Sequence, residues 1–186
     1  MRIVAGAWRG RTLVAPAGAA TRPTADRVRQ ALFDMLLHAP WGGRQAVEGV
    51  AVLDGFAGTG ALGLEALSRG AAAATFIETD RAALAALRAN IAACKAEPVC
   101  RVLAADATRP PPGAPCRLLF LDPPYARDLV PRAAEALAAA GWIAPDALVV
   151  VELGREEALP DLGTLLAERV HGAARVAIWR AIRAAE

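Results

Sequence analysis

The chain has little of several residues that announce particular chemistries. Its three cysteines, Cys94, Cys100 and Cys116, are odd in number and show no C-x-x-C spacing, which argues against a disulfide framework and against a zinc site. They read as buried thiols. The two histidines, His38 and His171, have no neighbour that would make a base or a metal site of them, so no metal is expected. No stretch free of Asp, Glu, Lys and Arg exceeds ten residues, which excludes a transmembrane helix. The start, Met1-Arg2-Ile3-Val4-Ala5-Gly6, lacks the apolar run of a signal peptide. A cytoplasmic protein without a membrane partner is the expectation. Lysine is nearly missing too, with Lys95 alone among 21 basic residues; beside 47 alanines in 186 residues this reflects coding bias and says nothing about function.

What is present is the composition of a globular domain, 55% apolar and 22% charged. The length suits one domain of ordinary size plus an appendage, so substrate recognition has to be part of the fold itself. Charge divides the chain. Residues 1–30 hold six arginines, Arg2, Arg9, Arg11, Arg22, Arg27 and Arg29, against Asp26, a balance of +5, while the remaining 15 basic and 18 acidic residues give −3. A solvated tail has this composition as well, but the asymmetry suits a polyanion such as RNA. The expected organisation is therefore a basic, RNA-recognising extension and helix over 1–40 and a catalytic or binding domain over 41–186.

Hydrophobic patterning makes the domain α/β. A helix is expected after Thr24 as N-cap, with Val28, Leu32, Met35 and Leu36 on its buried stripe. Beyond it, apolar runs at 50–54, 74–79, 99–105, 117–121 and 147–153 alternate with helical segments ending near Gly70, Cys94 and residue 140. Segments 166–171 and 174–182 predict a hairpin turning at Gly172. Alternating elements imply a mostly parallel sheet covered on both faces.

In such a sheet ligands bind beyond the carboxyl ends of the strands, and the polar residues fall there. The first run ends in Asp54-Gly55-Phe56-Ala57-Gly58-Thr59-Gly60, the second in Glu78-Thr79-Asp80, the third in Asp106-Ala107 and the fourth in Asp122-Pro123-Pro124-Tyr125. Gly55, Gly58 and Gly60 let the backbone approach a ligand. Glu78, twenty residues after Gly58, is placed to accept from ribose hydroxyls. Gly58 to Gly63 also satisfies the dinucleotide pattern G-x-G-x-x-G, but Asp54 would repel a pyrophosphate there and can accept from the ammonium of S-adenosylmethionine. In the fourth element, Asp122 and the Pro123 carbonyl can take hydrogen bonds from an exocyclic amine and aim its lone pair at a methyl group. Pro124 stiffens the turn, and Tyr125, the only tyrosine, can stack on a flipped-out base. Pro115-Cys116 has the form of a cytosine-methylating nucleophile, but Cys116 lies roughly 20 Å down the strand from Asp122 at about 3.3 Å per residue. Trp8 can stack on RNA or anchor the N-terminal segment.

The glycine turn together with Asp122-Pro123-Pro124-Tyr125 resembles the amino-methylating class I S-adenosylmethionine-dependent methyltransferases, whose Rossmann-like sheet has seven strands with an antiparallel last strand. The opening run Met1 to Arg11 and the segment Arg22-Pro23-Thr24-Ala25-Asp26-Arg27-Val28-Arg29 are similar to the start of the RsmD family of 16S ribosomal RNA guanine-N2 methyltransferases, and the likeness spans nearly the whole chain. The resemblance implies that Asp54, Gly58 and Gly60 hold the methionine part of S-adenosylmethionine, Glu78 its ribose and Asp106 its adenine amine. It also implies that residues 122–125 hold a guanine of 16S rRNA. We expect cofactor contacts from Gly55, Phe56, Thr79 and Ala107 as well, a monomer, and a substrate that is naked RNA or a 30S assembly intermediate. Adenine-N6 or glutamine methylation, and RNA binding without catalysis, remain the rival readings.

Overall fold

The structure, a computed structural model, describes residues 1–16, 23–124 and 128–181. Seven strands form one sheet: β1 (Ala51–Gly55), β2 (Ala73–Glu78), β3 (Cys100–Ala104), β4 (Cys116–Leu121), β5 (Ile143–Gly154), β6 (Thr164–His171) and β7 (Ala174–Arg180). Their spatial order is β3-β2-β1-β4-β5-β7-β6, and β7 alone runs against both of its neighbours. This is the Rossmann-like methyltransferase arrangement expected above. Among the described residues four α-helices accompany the sheet: α1 (Pro23–His38), α2 (Ala61–Ser68), α3 (Arg81–Cys94) and α4 (Leu129–Ala139).

The central strands read as continuous apolar runs because both faces are covered. Successive residues point to opposite sides, so Val52, Phe76, Leu118 and Phe120 join one core with α1, α2 and α3. Leu53, Ile77, Leu119, Leu121 and Val151 join a second core with α4 and Trp142. Local chemistry sets the ends of the helices. The Asp80 carboxylate accepts from the Ala83 N–H at 2.7 Å and caps α3, which leaves one less orphan donor at that terminus. Two expectations need correcting. α1 begins at Pro23, whose missing N–H costs nothing in a first turn, so Thr24 lies inside the helix and does not cap it. β5 starts earlier than its apolar run: the β4–β5 register shifts between Cys116 and Leu118, the extra residues lying in β5 between Ile143 and Leu148, so Ile143 pairs with Cys116 ahead of the run.

The basic N-terminal segment is built into the first core. Ile3 and Leu13 are buried there, and an isolated bridge joins Arg2 to Thr12. The fully buried Glu65 of α2 accepts from the backbone N–H groups of Val4 and Ala5 at 2.8 and 3.0 Å. Ser68 donates to the Ala5 carbonyl and accepts from the Trp8 N–H. Gly6, at φ +81°, passes so near α2 that a Cβ would sit 1.8 Å from the Ser68 carbonyl oxygen, so no other residue fits. Trp8 is half-buried against the same core, and anchoring is the role the structure gives it.

Candidate active site

Register places the predicted residues at one edge of the sheet. Gly55 lies opposite Ile77 of β2 and Leu121 of β4, and Glu78 opposite Ala104 of β3. Asp54 to Gly60, Glu78-Thr79, Asp106-Ala107 and Asp122 therefore all follow, or end, neighbouring parallel strands. Asp54, Glu78 and Asp122 are near enough to one another that the charges of the last two raise the pKa of the first.

Each carboxylate has a distinct local task. Asp54 is 2% exposed, and its Oδ2 accepts from the Gly63 N–H at 2.9 Å, holding the start of α2. Burial pushes it up to about 8, opposed by that hydrogen bond and reinforced by Asp122 and Glu78. Glu78 organises the glycine turn: one oxygen accepts from Gly58 N–H at 2.7 Å, the other from Thr79 and Asp80 at 2.7 and 2.8 Å. The oxygen that takes Gly58 keeps lone-pair capacity for a ligand hydroxyl, while the other already accepts two bonds. Asp106 is exposed, and its Oδ1 accepts from both the backbone N–H and the hydroxyl of Thr108 at 2.8 Å. The backbone bond, above all, holds this carboxyl below the usual range. Ala107 beside it is buried in the second core.

The turn itself is strained. Phe56 takes a left-handed conformation at φ +64°, which costs a bulky residue on the order of 1–3 kcal/mol and persists where the surroundings enforce it. Gly60 is left-handed too, and a Cβ there would meet Leu87 Cδ1 at 2.3 Å.

Asp122 opens onto the crevice, with Pro123 buried behind it and Pro124 exposed. Although its side chain reaches solvent, the protein packed around it and the charge of Glu152 raise its pKa. Glu152 is a neighbour that sequence reasoning missed: Val151 pairs with Leu121, so Glu152 stands one residue beyond, beside Asp122. A single charge inside the apolar run of β5 was its one signal. Tyr125 falls outside the described residues. So does Arg22.

The other arginines separate by environment. Arg2, Arg9, Arg11 and Arg27 are exposed, with Arg11 donating to the Ala93 carbonyl and Arg2 at 4.0 Å from Asp26. Arg29 is 4% exposed and pairs with Asp26 at 2.8 Å and with Glu65 at 3.3 Å. Its charge serves the interior. Cys116 stands at the start of β4, far from Asp122, with its thiol raised to about 11 by burial. A separate hollow of about 290 Å³, lined by Trp41, Gln45, Arg117, Asp146, Leu148 and Arg180 among others, lies at that same amino end of β4, away from the carboxylates.

This constellation sits on a chain whose residues 1–180 match the model of a family described as Conserved hypothetical protein 95. The chain belongs to this RsmD family. It is 44% identical over 162 residues to Ribosomal RNA small subunit methyltransferase D of Escherichia coli (strain K12), a match covering 86% of this chain and 78% of that one. With the protein of the same name from Haemophilus influenzae it shares 37% over 179 residues, covering 92% and 89%. The solved structure of Escherichia coli yhhF is similar with a TM-score of 0.84 at 40% identity, over 98% of both chains. An RsmD-family chain thus carries its carboxylates, its glycine turn and its Asp122-Pro123-Pro124 element along one edge of a seven-stranded sheet.

Proposed function

We propose that this protein transfers a methyl group from S-adenosylmethionine to the N2 amine of a guanine in 16S rRNA, working in the cytoplasm as a monomer on RNA or on a 30S assembly intermediate. The observation that carries the reading is that Asp122 follows Leu121, the partner of Gly55 across β1–β4, and lies near enough to Asp54 for its charge to be felt there. The names of its relatives, small-subunit rRNA methyltransferases, support it. The donor set fits the cofactor: three carboxylates gathered at one crevice, one of them pushed up to about 8, suit a sulfonium and ammonium cation and oppose a pyrophosphate.

Asp54, Gly55, Phe56, Gly58 and Gly60 would hold its methionine part, Glu78 and Thr79 its ribose, and Asp106 and Ala107 its adenine. When bound, the cofactor supplies an electrophilic methyl group. Asp122 Oδ and the Pro123 carbonyl accept the two hydrogens of the target amine and turn its lone pair toward that group, so positioning and electrostatics lower the barrier. Pro124 keeps the carbonyl facing the base, and Tyr125 stacks on the base drawn out of its helix. Arg2, Arg9, Arg11, Arg22 and Arg27 meet phosphates, and Arg29 holds their segment in place.

Incubation with tritiated cofactor, with naked 16S rRNA and with partly assembled particles, followed by nucleoside analysis, tests this. Label in N2-methylguanosine is expected. Label in N6-methyladenosine, or in a glutamine of a ribosomal protein, would replace the substrate. RNA binding without label would make the protein a non-catalytic relative.

A further inference from the structure

One buried polar side chain takes no part in the crevice and yet touches it. Asn90 lies in the middle of α3 and is 1% exposed. Its Nδ2 donates to the Thr59 carbonyl at 2.9 Å and to the Val14 carbonyl at 3.0 Å, while its Oδ1 accepts from the Val14 N–H at 2.8 Å. Both donor hydrogens and the acceptor are engaged, by two segments 31 and 76 residues distant in sequence. Thr59 stands between Gly58 and Gly60 in the turn assigned to the cofactor. Val14 lies near the end of the described part of the arginine-bearing segment that precedes α1.

A buried amide of this kind is satisfied only while both segments keep their places. If the turn shifts, a donor is left without a partner in a dry site, and the least costly response is for the other segment to shift as well. Thr59 reinforces the link, since its hydroxyl also meets the Met1 sulfur at 3.9 Å.

We propose that Asn90 is a positioning residue that couples the cofactor turn to the N-terminal RNA-binding segment, so that filling the turn tightens a segment already packed on the core and the two ligands bind cooperatively. This deepens the function proposed above and rests on it. Coupling of this kind is reciprocal: whatever factor the cofactor adds to RNA affinity, RNA adds to cofactor affinity. Asn90 itself contacts neither ligand.

Hydrogen exchange on the full-length protein, with and without S-adenosylhomocysteine as probe, tests it, alongside RNA binding under the same two conditions. In the wild type we expect the probe to slow exchange at Gly58 and Gly60, and also at Leu13 and Val14. RNA affinity should rise about fivefold. In Asn90→Asp, which keeps the acceptor for Val14 but loses both donors, protection of the glycine turn should persist while protection of Leu13 and Val14 and the gain in RNA affinity disappear. Asn90→Ser serves if the aspartate variant does not fold. A role confined to stability would lower the melting temperature of the variants and leave the probe's distant effect in place, which overturns the proposal. Protection of the turn alone in the wild type overturns it too, with the cofactor site intact. No protection anywhere removes the cofactor reading and the coupling with it.

Discussion

The crevice has two halves built on different terms. On the side of β1, β2 and β3, the carboxylates hold backbone: Asp54 takes Gly63, Glu78 takes Gly58, Thr79 and Asp80, and Asp106 takes Thr108. On the side of β4 and β5, Asp122 stands beside Glu152, and its pKa is raised by the protein around it and by their proximity. On the function proposed above, the first half is shaped in advance for the cofactor and the second offers an acidic group to the target amine, so that preorganisation would serve binding on one side and turnover on the other.

The sharpest way to break this division is Asp122→Ala. It should cut kcat about 100- to 1000-fold, the equivalent of about 3–4 kcal/mol of transition-state stabilisation, with cofactor affinity by calorimetry within about twofold of wild type. A variant that turns over normally would move the chemistry elsewhere. Glu78→Ala should do the opposite, weakening cofactor binding about tenfold or more while RNA affinity holds, since a charged acceptor of several hydrogen bonds is removed.

Asp54 gives the division a pH signature. A carboxyl whose folded value is raised to about 8 binds more protons folded than unfolded, so the ligand-free protein should lose stability as pH rises from about 4 toward 8. Cofactor affinity should climb across the same range, because a cation favours the ionised form. Asp54→Asn should flatten both profiles and make the ligand-free protein more stable than the parent at pH 8; melting curves at pH 5 and 8 decide it. The smallest effect belongs to the surface. Replacing Arg9 or Arg27 by alanine should flatten the logarithmic salt dependence of RNA binding by about 0.7 to 0.9 units for each phosphate left unneutralised, and cofactor affinity should hold. Arg29→Ala should leave that slope alone and lower the melting temperature, because it strips a buried ion pair from Glu65.

Most of the fold was legible because period and punctuation agree. Apolar runs of strand length, closed by glycines and aspartates, marked β1, β2 and β4 to within a residue or two, and the end expected near Cys94 is where α3 stops. The strand ends were legible for the same reason, since polar residues after an apolar run have one place to go. What escaped is what only packing creates. Nothing in an alanine-rich helix tells Asn90 from a solvated asparagine, and Glu65 reads as the polar face of α2 until the N-terminal segment is laid against it. The six arginines look alike in sequence. Arg29 differs from Arg27 only by two steps along α1, which turn it toward Glu65 and away from water.

The clasp of Glu65 and Asn90 on the first fourteen residues also orders events in time. Val4 waits on a residue 61 positions downstream and Val14 on one 76 downstream, so the part of the chain synthesised first cannot be seated until α2 and α3 exist. Contacts this remote in sequence are slow to form. The arginines therefore take up their arrangement only after the sheet's first half and the helices over it have formed, and a nascent or truncated chain presents a basic tail without that arrangement.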